Sequence, residues 1–210
     1  MVFIFAGCDT GTETKDTWSA ITSLHQLQGT WEGTTQTKPI PLKDIVEASG
    51  LLEDPDLLAE LLGSEYSELI PPEMMINGIK VLIKDINVTI TVKATITFVA
   101  DAYDAGSMSG TADMTVSLSG GNTDQLWTMI MGIYEDMLPP DVDIDNNKHS
   151  ITRTSDVPVT PITLDDFEGS QINQTGKKLR TELDTSALEE FDEIGVFESF
   201  VPSEIILYKK

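Results

Sequence analysis

The chain holds one thiol, Cys8, two imidazoles, His25 and His149, and a large stock of carboxylates. A lone thiol makes no internal disulfide, and two histidines are too few for a histidine-based metal site. Asp141, Asp143 and Asp145 alternate with Val142 and Ile144, and D-x-D-x-D is how an EF-hand calcium loop opens. Its sixth position, however, is Asn146 rather than Gly, and its twelfth is Thr152 rather than a bidentate Glu. The segment therefore reads as a solvated acidic loop, with weak, non-EF calcium binding as the only chemistry left to it. Gly106-Ser-Met-Ser-Gly110 places Met108 where a nucleophile elbow needs Ser. No phosphate-cradling or dinucleotide-binding glycine pattern occurs. His25 and His149 have no motif around them and read as structural or solvated. Among so many acids some carboxylates pair by composition alone, which does not argue for a glycosidase. The expectation is no catalytic residue, no metal, no cofactor and no enzyme.

Charge removes another class. Asp and Glu number 35 against 13 Lys and Arg, a formal net charge of −22. Such a surface repels phosphate backbones, so nucleic acid is excluded as a partner. Apolar residues make up 40% and charged residues 23% of 210 residues, which describes one folded globular domain rather than a disordered chain. No apolar run reaches the roughly 18 residues that a membrane-spanning helix needs.

Cys8 stands at a sharp boundary. Met1 to Gly7 is apolar, and Asp9-Thr-Gly-Thr-Glu-Thr-Lys-Asp16 is small, hydroxylated and charged. Phe5-Ala6-Gly7-Cys8 resembles the lipobox of bacterial lipoproteins, in the looser form that spirochaete proteins tolerate. The resemblance implies cleavage beside the small Ala6 and Gly7, a diacylglycerol on the Cys8 thiol, and a polar tether that lets the domain clear the bilayer. Residues 1–8 would be residual signal peptide and lipobox, and 9–26 a tether with a short helix. The partner would be a membrane, and the location a bacterial cell envelope, with periplasmic leaflet and cell surface both open. Phe5 replaces the usual Leu, no basic n-region precedes it, and the apolar run is shorter than the usual ~7–15 residues. Those departures fit a start assigned too late or a truncated sequence. The alternative is a buried first strand, Val2 to Phe5, with Cys8 as a small core residue.

The elements that must position any site are legible from periodicity. From Val88 to Phe98 the even positions are apolar and the odd ones are Thr or Lys, and residues 107–119 repeat the alternation with Ser, Thr and Asp. Two half-buried antiparallel strands joined through 101–106 as a hairpin follow from this. Trp18, Ile21 and Leu24 have helical spacing after Asp16 as cap. Pro41 and Gly50 bracket one predicted helix, Asp54-Pro55 starts a leucine-rich second, and 74–84 suits either helix or buried strand. Asn122 to Leu138 predicts a helix apolar nearly all round, and a capping-box pair at Ser186 and Glu189 predicts a short one. Strands are predicted near 149–154, 159–164, 171–175, 178–184 and 204–209.

Gln28-Gly-Thr-Trp-Glu-Gly33 resembles the opening strand of lipocalin-like (calycin) barrels, whose G-x-W triplet plugs the closed end of the core; Gly29, Thr30 and Trp31 match it. The order of a short helix and then a last strand is similar too. The resemblance departs at 122–138, where a helix interrupts the strands, and near the last strand, where no Arg stands to stack on Trp31. The fold expected is mainly β with helices (α+β): one domain, 27–210, an antiparallel curved sheet or lipocalin-like barrel. Helical insertions at about 41–70 and 122–138 would cover one side, the first as a lid over the barrel mouth. An interior lined by Val92, Ile96, Met108 and Met114, under Trp127 and Met131, would suit a small apolar ligand. Three functions remain open: a lipid-anchored envelope protein binding such a ligand, a structural or adhesive surface lipoprotein, and, last, an envelope hydrolase.

Overall fold

The computed structural model describes residues 16–50, 52–53, 71–134, 138–139, 141–182 and 204–210. The lipobox, the leucine-rich helix from Asp54 and the helix expected near 186–193 lie outside the described residues. In chain order the strands are β1 (Trp18–Ala20), β2 (Gly29–Gln36), β3 (Ile40–Pro41), β4 (Asn87–Ala100), β5 (Ala105–Ser119), β6 (Val142–Asp145), β7 (Ser150–Thr163), β8 (Gln171–Asn173), β9 (Lys178–Glu182) and β10 (Glu204–Lys209). The helices are α1 (Leu42–Ala48), α2 (Pro72–Ile83) and α3 (Thr123–Tyr134), with 3-10 turns at Leu24–Gln26 and Leu164–Phe167.

The alternating segments form the predicted hairpin. β4 and β5 pair from Asn87 opposite Ser119 to Ala100 opposite Gly106. Their even residues share one face and their Thr and Ser residues the other, as the pleat requires. β2 lies beside β4, with Trp31 opposite Ile96, and β10 lies on its far side, with Lys209 opposite Trp31. All pairings are antiparallel, and the sheet runs β1-β8-β9-β10-β2-β4-β5-β7-β6, with β3 beside β4.

This is a curved open sheet, and the expected barrel is not formed. Among the described residues β1 and β6 have no strand on their outer sides. They are only three and four residues long, too short to carry a closing ladder. β6 covers Ser150–Arg153 of β7, and among the described residues the rest of β7 is an edge. Pro158 and Pro161 sit in that edge half, where a missing N–H costs no ladder bond. The same prolines make 149–154 and 159–164 look like two strands; they are one, kinked by a bulge where Val157 and Thr160 flank the position opposite Ser109.

Two other expectations are corrected. Trp18–Ala20 is an edge strand on β8, not helix, and only Leu24–Gln26 turns helically. Gln26 and Ser23 close that turn as a reciprocal cap, since the Gln26 carbonyl accepts from the Ser23 N–H and the Ser23 hydroxyl from the His25 N–H. The ambiguous 74–84 segment belongs to α2, which Pro72 opens at its first turn.

The even-numbered face of β4 and β5 turns inward. At one end of the sheet Trp31, Leu24, Leu27, Phe98, Ile172, Leu179 and Leu207 form one core, with Ile162 and Ala94. At the other end Ile40, Ile45, Val88 and Ile90 form a second cluster. Beside it, α2 and α3 meet through Ile83, Ile86 and Leu126. Among the described residues, α1, α2 and α3 therefore cover this inward face at one end. Trp31 is fully buried, and its indole N–H donates to the Leu27 carbonyl. The Lys209 ammonium lies 5.4 Å from its ring centroid. A lysine on the last strand thus occupies the position over the ring where the lipocalin resemblance called for Arg.

Trp31→Ala removes the largest fully buried side chain. It is expected to cost about 3–5 kcal/mol, against a total of roughly 5–15 for a typical domain. Urea denaturation should show a large fall in midpoint, and Trp31→Phe should recover part of it.

Candidate functional site

The residues expected to line an apolar cavity lie on the inward face but do not meet in one place. Ile96 and Met108 pack on the Trp31 core. Met114 packs on the second cluster, beside Ile45, Val88 and Ile90. Val92 is only partly buried between them. Cross-strand register places Thr35, Val92, Met114 and Arg153 in one row and the small Gly33, Ala94, Ala112 and Ser155 in the next. A shallow strip thus separates the two clusters. Trp127 and Met131 are buried on α3. Trp127 faces the β6–β7 turn: its indole N–H donates to Asn146 Oδ1 at 2.8 Å, and its ring stands edge-on to His149.

His149 belongs to the same joint. It adopts φ +49°, and its Nε2 lies 3.0 Å from Asp124 Oδ1 at the start of α3. The imidazole holds the helix to the turn, and no nucleophile among the described residues faces it.

The acidic segment 141–147 is largely strand rather than loop. Asp141 accepts from Arg153 Nε at 3.2 Å. Asp145 pairs with Lys148 at 2.7 Å and accepts from the backbone N–H groups of Asn147 and Lys148. The Lys148 ammonium holds the Asp145 carboxyl below its ordinary range, and Asp145 raises Lys148 in return. Alternation along β6 puts Asp143 and Asp145 on one face, but Arg153 engages Asp141 and Lys148 engages Asp145, so basic side chains of the protein occupy the calcium-like spacing. Among the described residues no group of three metal-ligating side chains converges.

Two features escaped the sequence. One is a shallow cleft of about 140 Å³ between α1 and α2, with Leu52 and Ile83 beneath Lys43, Glu47, Lys80 and Lys84. It is smaller than the roughly 300–1,000 Å³ of a typical ligand site. The other is the corner where the described chain begins. Asp16 accepts from Lys178 Nζ at 2.6 Å and from Asn173 Nδ2 at 3.2 Å. Asn173 is buried, and its carbonyl oxygen accepts from the N–H groups of Lys177 and Lys178, which shapes the β8–β9 turn. Arg180 stacks on Trp18 at 4.3 Å from the ring centroid, fastening β1 to β9. Asp16 as a helix cap was the only sequence signal here; the side chain caps a turn 157 residues away instead.

Comparison with protein-family models, curated proteins and solved structures finds no match.

The Lys178 hydrogen bond, followed by that of Asn173, depresses the Asp16 carboxyl below its ordinary value. A depressed folded-state pKa adds stability above the unfolded value, about 3.9, and that stability is lost as pH falls through the folded value. Asp16→Asn should lower the melting temperature modestly near neutrality, the pair being partly exposed. The gap to the unsubstituted protein should close as pH drops below about 4. A gap that persists unchanged at lower pH would assign the loss to packing rather than charge.

Proposed function

We propose that the protein is a lipid-anchored cell-envelope protein of the structural or adhesive kind, tethered through Cys8 and presenting a broad sheet outward. The observation that carries this choice over a ligand carrier is the open sheet, whose own side chains occupy its inward face in two separate clusters. The opposite face supports it. Thr30 and Thr97 share a hydrogen bond at 3.0 Å, Thr115 and Thr152 one at 2.8 Å, and Thr154 donates to Asp113 at 2.8 Å. That face is a wide hydroxylated plane across β2, β4, β5 and β7, suited to water or to a polar partner. The anchor itself rests on the Phe5-Ala6-Gly7-Cys8 pattern, and the fastening of Asp16 supports the placing of a tether before it.

A second reading, a carrier of a small apolar ligand, draws on one observation. Val92, Ile96 and Met114 stay only partly buried along the strip between the clusters. No catalytic role is proposed.

Expression of the gene in a bacterial host should send the protein to the membrane fraction, and Cys8→Ala should release most of it. Unchanged partitioning of the variant would remove the anchor from the account. Native mass spectrometry of the purified protein should give the mass of the protein with no apolar adduct. A stoichiometric adduct lost in the Val92→Asp variant would favour the carrier instead.

A further inference from the structure

The corner at Asp16 gathers positive charge in a strongly acidic chain. The Lys209 N–H donates to the Lys177 carbonyl at 2.9 Å, and the Lys210 N–H to the Thr30 carbonyl at 3.0 Å. These bonds set the end of β10 beside the β8–β9 turn. Lys177, Lys178, Arg180, Lys209 and Lys210 therefore stand together, and Lys15 adjoins Asp16 in sequence. Five of the chain's 13 basic residues are thus placed at this corner among the described residues. Among the described residues, Asp16 pairs with Lys178 at 2.6 Å, Glu32 with Lys210 at 2.7 Å, and Glu204 with Arg180 at 4.0 Å. Lys177 is exposed, and the Lys210 side chain is 61% exposed.

We infer that this corner is a membrane-facing surface that binds anionic lipid headgroups and sets the tilt of the domain on the bilayer. The inference rests on the Cys8 anchor proposed above. Seven residues separate Cys8 from Asp16. At ~3.6 Å per residue they reach about 25 Å, so the corner can touch the headgroups with slack to spare. Electrostatic attraction acts only within a screening length of about 8 Å at physiological salt, so the patch nearest the surface decides, not the net charge of −22. Acids also lie in the β4–β5 turn, at Asp101 and Asp104, and in and just after the 3-10 turn that follows β7, at Asp165, Asp166 and Glu168. Repelled by the same headgroups, they tip that side away while the tethered corner is drawn down.

Cys8 is the only thiol, so maleimide-lipid coupling places the full chain on vesicles at that residue whether or not a cell acylates it. Failure of this test and failure of the lipoprotein reading are thereby separable. Amine acetylation followed by mass spectrometry is run on phosphatidylcholine vesicles and on mixed phosphatidylcholine–phosphatidylglycerol vesicles. On the anionic vesicles Lys177, Lys209 and Lys210 should be modified about threefold more slowly or less, with Lys84, Lys93 and Lys148 unchanged, and high salt should erase the difference. The exposed-site variant Lys177→Glu/Lys210→Glu should return Lys209 to its rate on phosphatidylcholine. Equal rates on both vesicles, or slowing shared by Lys84, Lys93 and Lys148, would overturn the inference. So would protection by soluble polyphosphate without protection by vesicles, which would reassign the corner to a soluble polyanion.

Discussion

Burial of Trp31 at the seam between the two halves of the sheet is the constraint on which the rest depends. To one side lie β10, β9, β8 and β1; to the other lie β4, β5, β7 and β6. Among the described strands β2 alone pairs with both, through Leu207 opposite Gly33 and Ile96 opposite Trp31. The indole is roofed by Leu24 and Leu27, tied to the Leu27 carbonyl, and overlaid by Lys209. One ring thus joins the start and the end of the described chain. Such a contact closes a loop of nearly the whole domain, which makes it entropically costly to form and places it among slow, non-local pairings.

Because the sheet stays open, its edges have to be managed. β7 does so with Pro158 and Pro161, β1 with its shortness and the Arg180–Trp18 stack, and β6 with aspartates along the rim. The large negative charge adds a general repulsion between copies, which opposes edge-to-edge pairing. The inward face is divided, with the Trp31 core at one end and the helix-covered cluster at the other. The outward face carries hydroxyls. Stability and surface character therefore come from opposite sides of the same strands, which period-two alternation makes possible.

Much of this was readable from residue order, and the failures have physical causes. Alternation from Val88 to Phe98 and along 107–119 specified β4, β5 and which face each would bury. Pro41 and Gly50 bracketed α1, and Gly50 indeed adopts φ +68° just beyond it. Trp18, Ile21 and Leu24 misled, because three apolar residues at helical spacing say nothing of a distant strand, β8, that captures the first of them through Asn173. Pro158 and Pro161 misled because a proline's cost depends on whether its missing N–H faces a neighbour, which sequence does not reveal. The G-x-W motif correctly marked a buried Trp31 and wrongly suggested closure, since the motif describes a plug and not the number or length of strands. Lys209 stands over the Trp31 ring where the motif has an arginine, since either cation can lie over an indole face. The Asp16 corner was illegible: its partners are 157 and 162 residues away.

The account combines an open sheet, a fastened starting corner and a lipid tether, and the tether carries the functional conclusion. The N-terminal peptide of the protein isolated from its native membrane tests it most directly. Tryptic cleavage at Lys15 and mass measurement should yield a peptide that begins at Cys8 and carries a diacylglyceryl group on its thiol. A peptide that retains residues 1–7 with Cys8 unmodified would contradict the account.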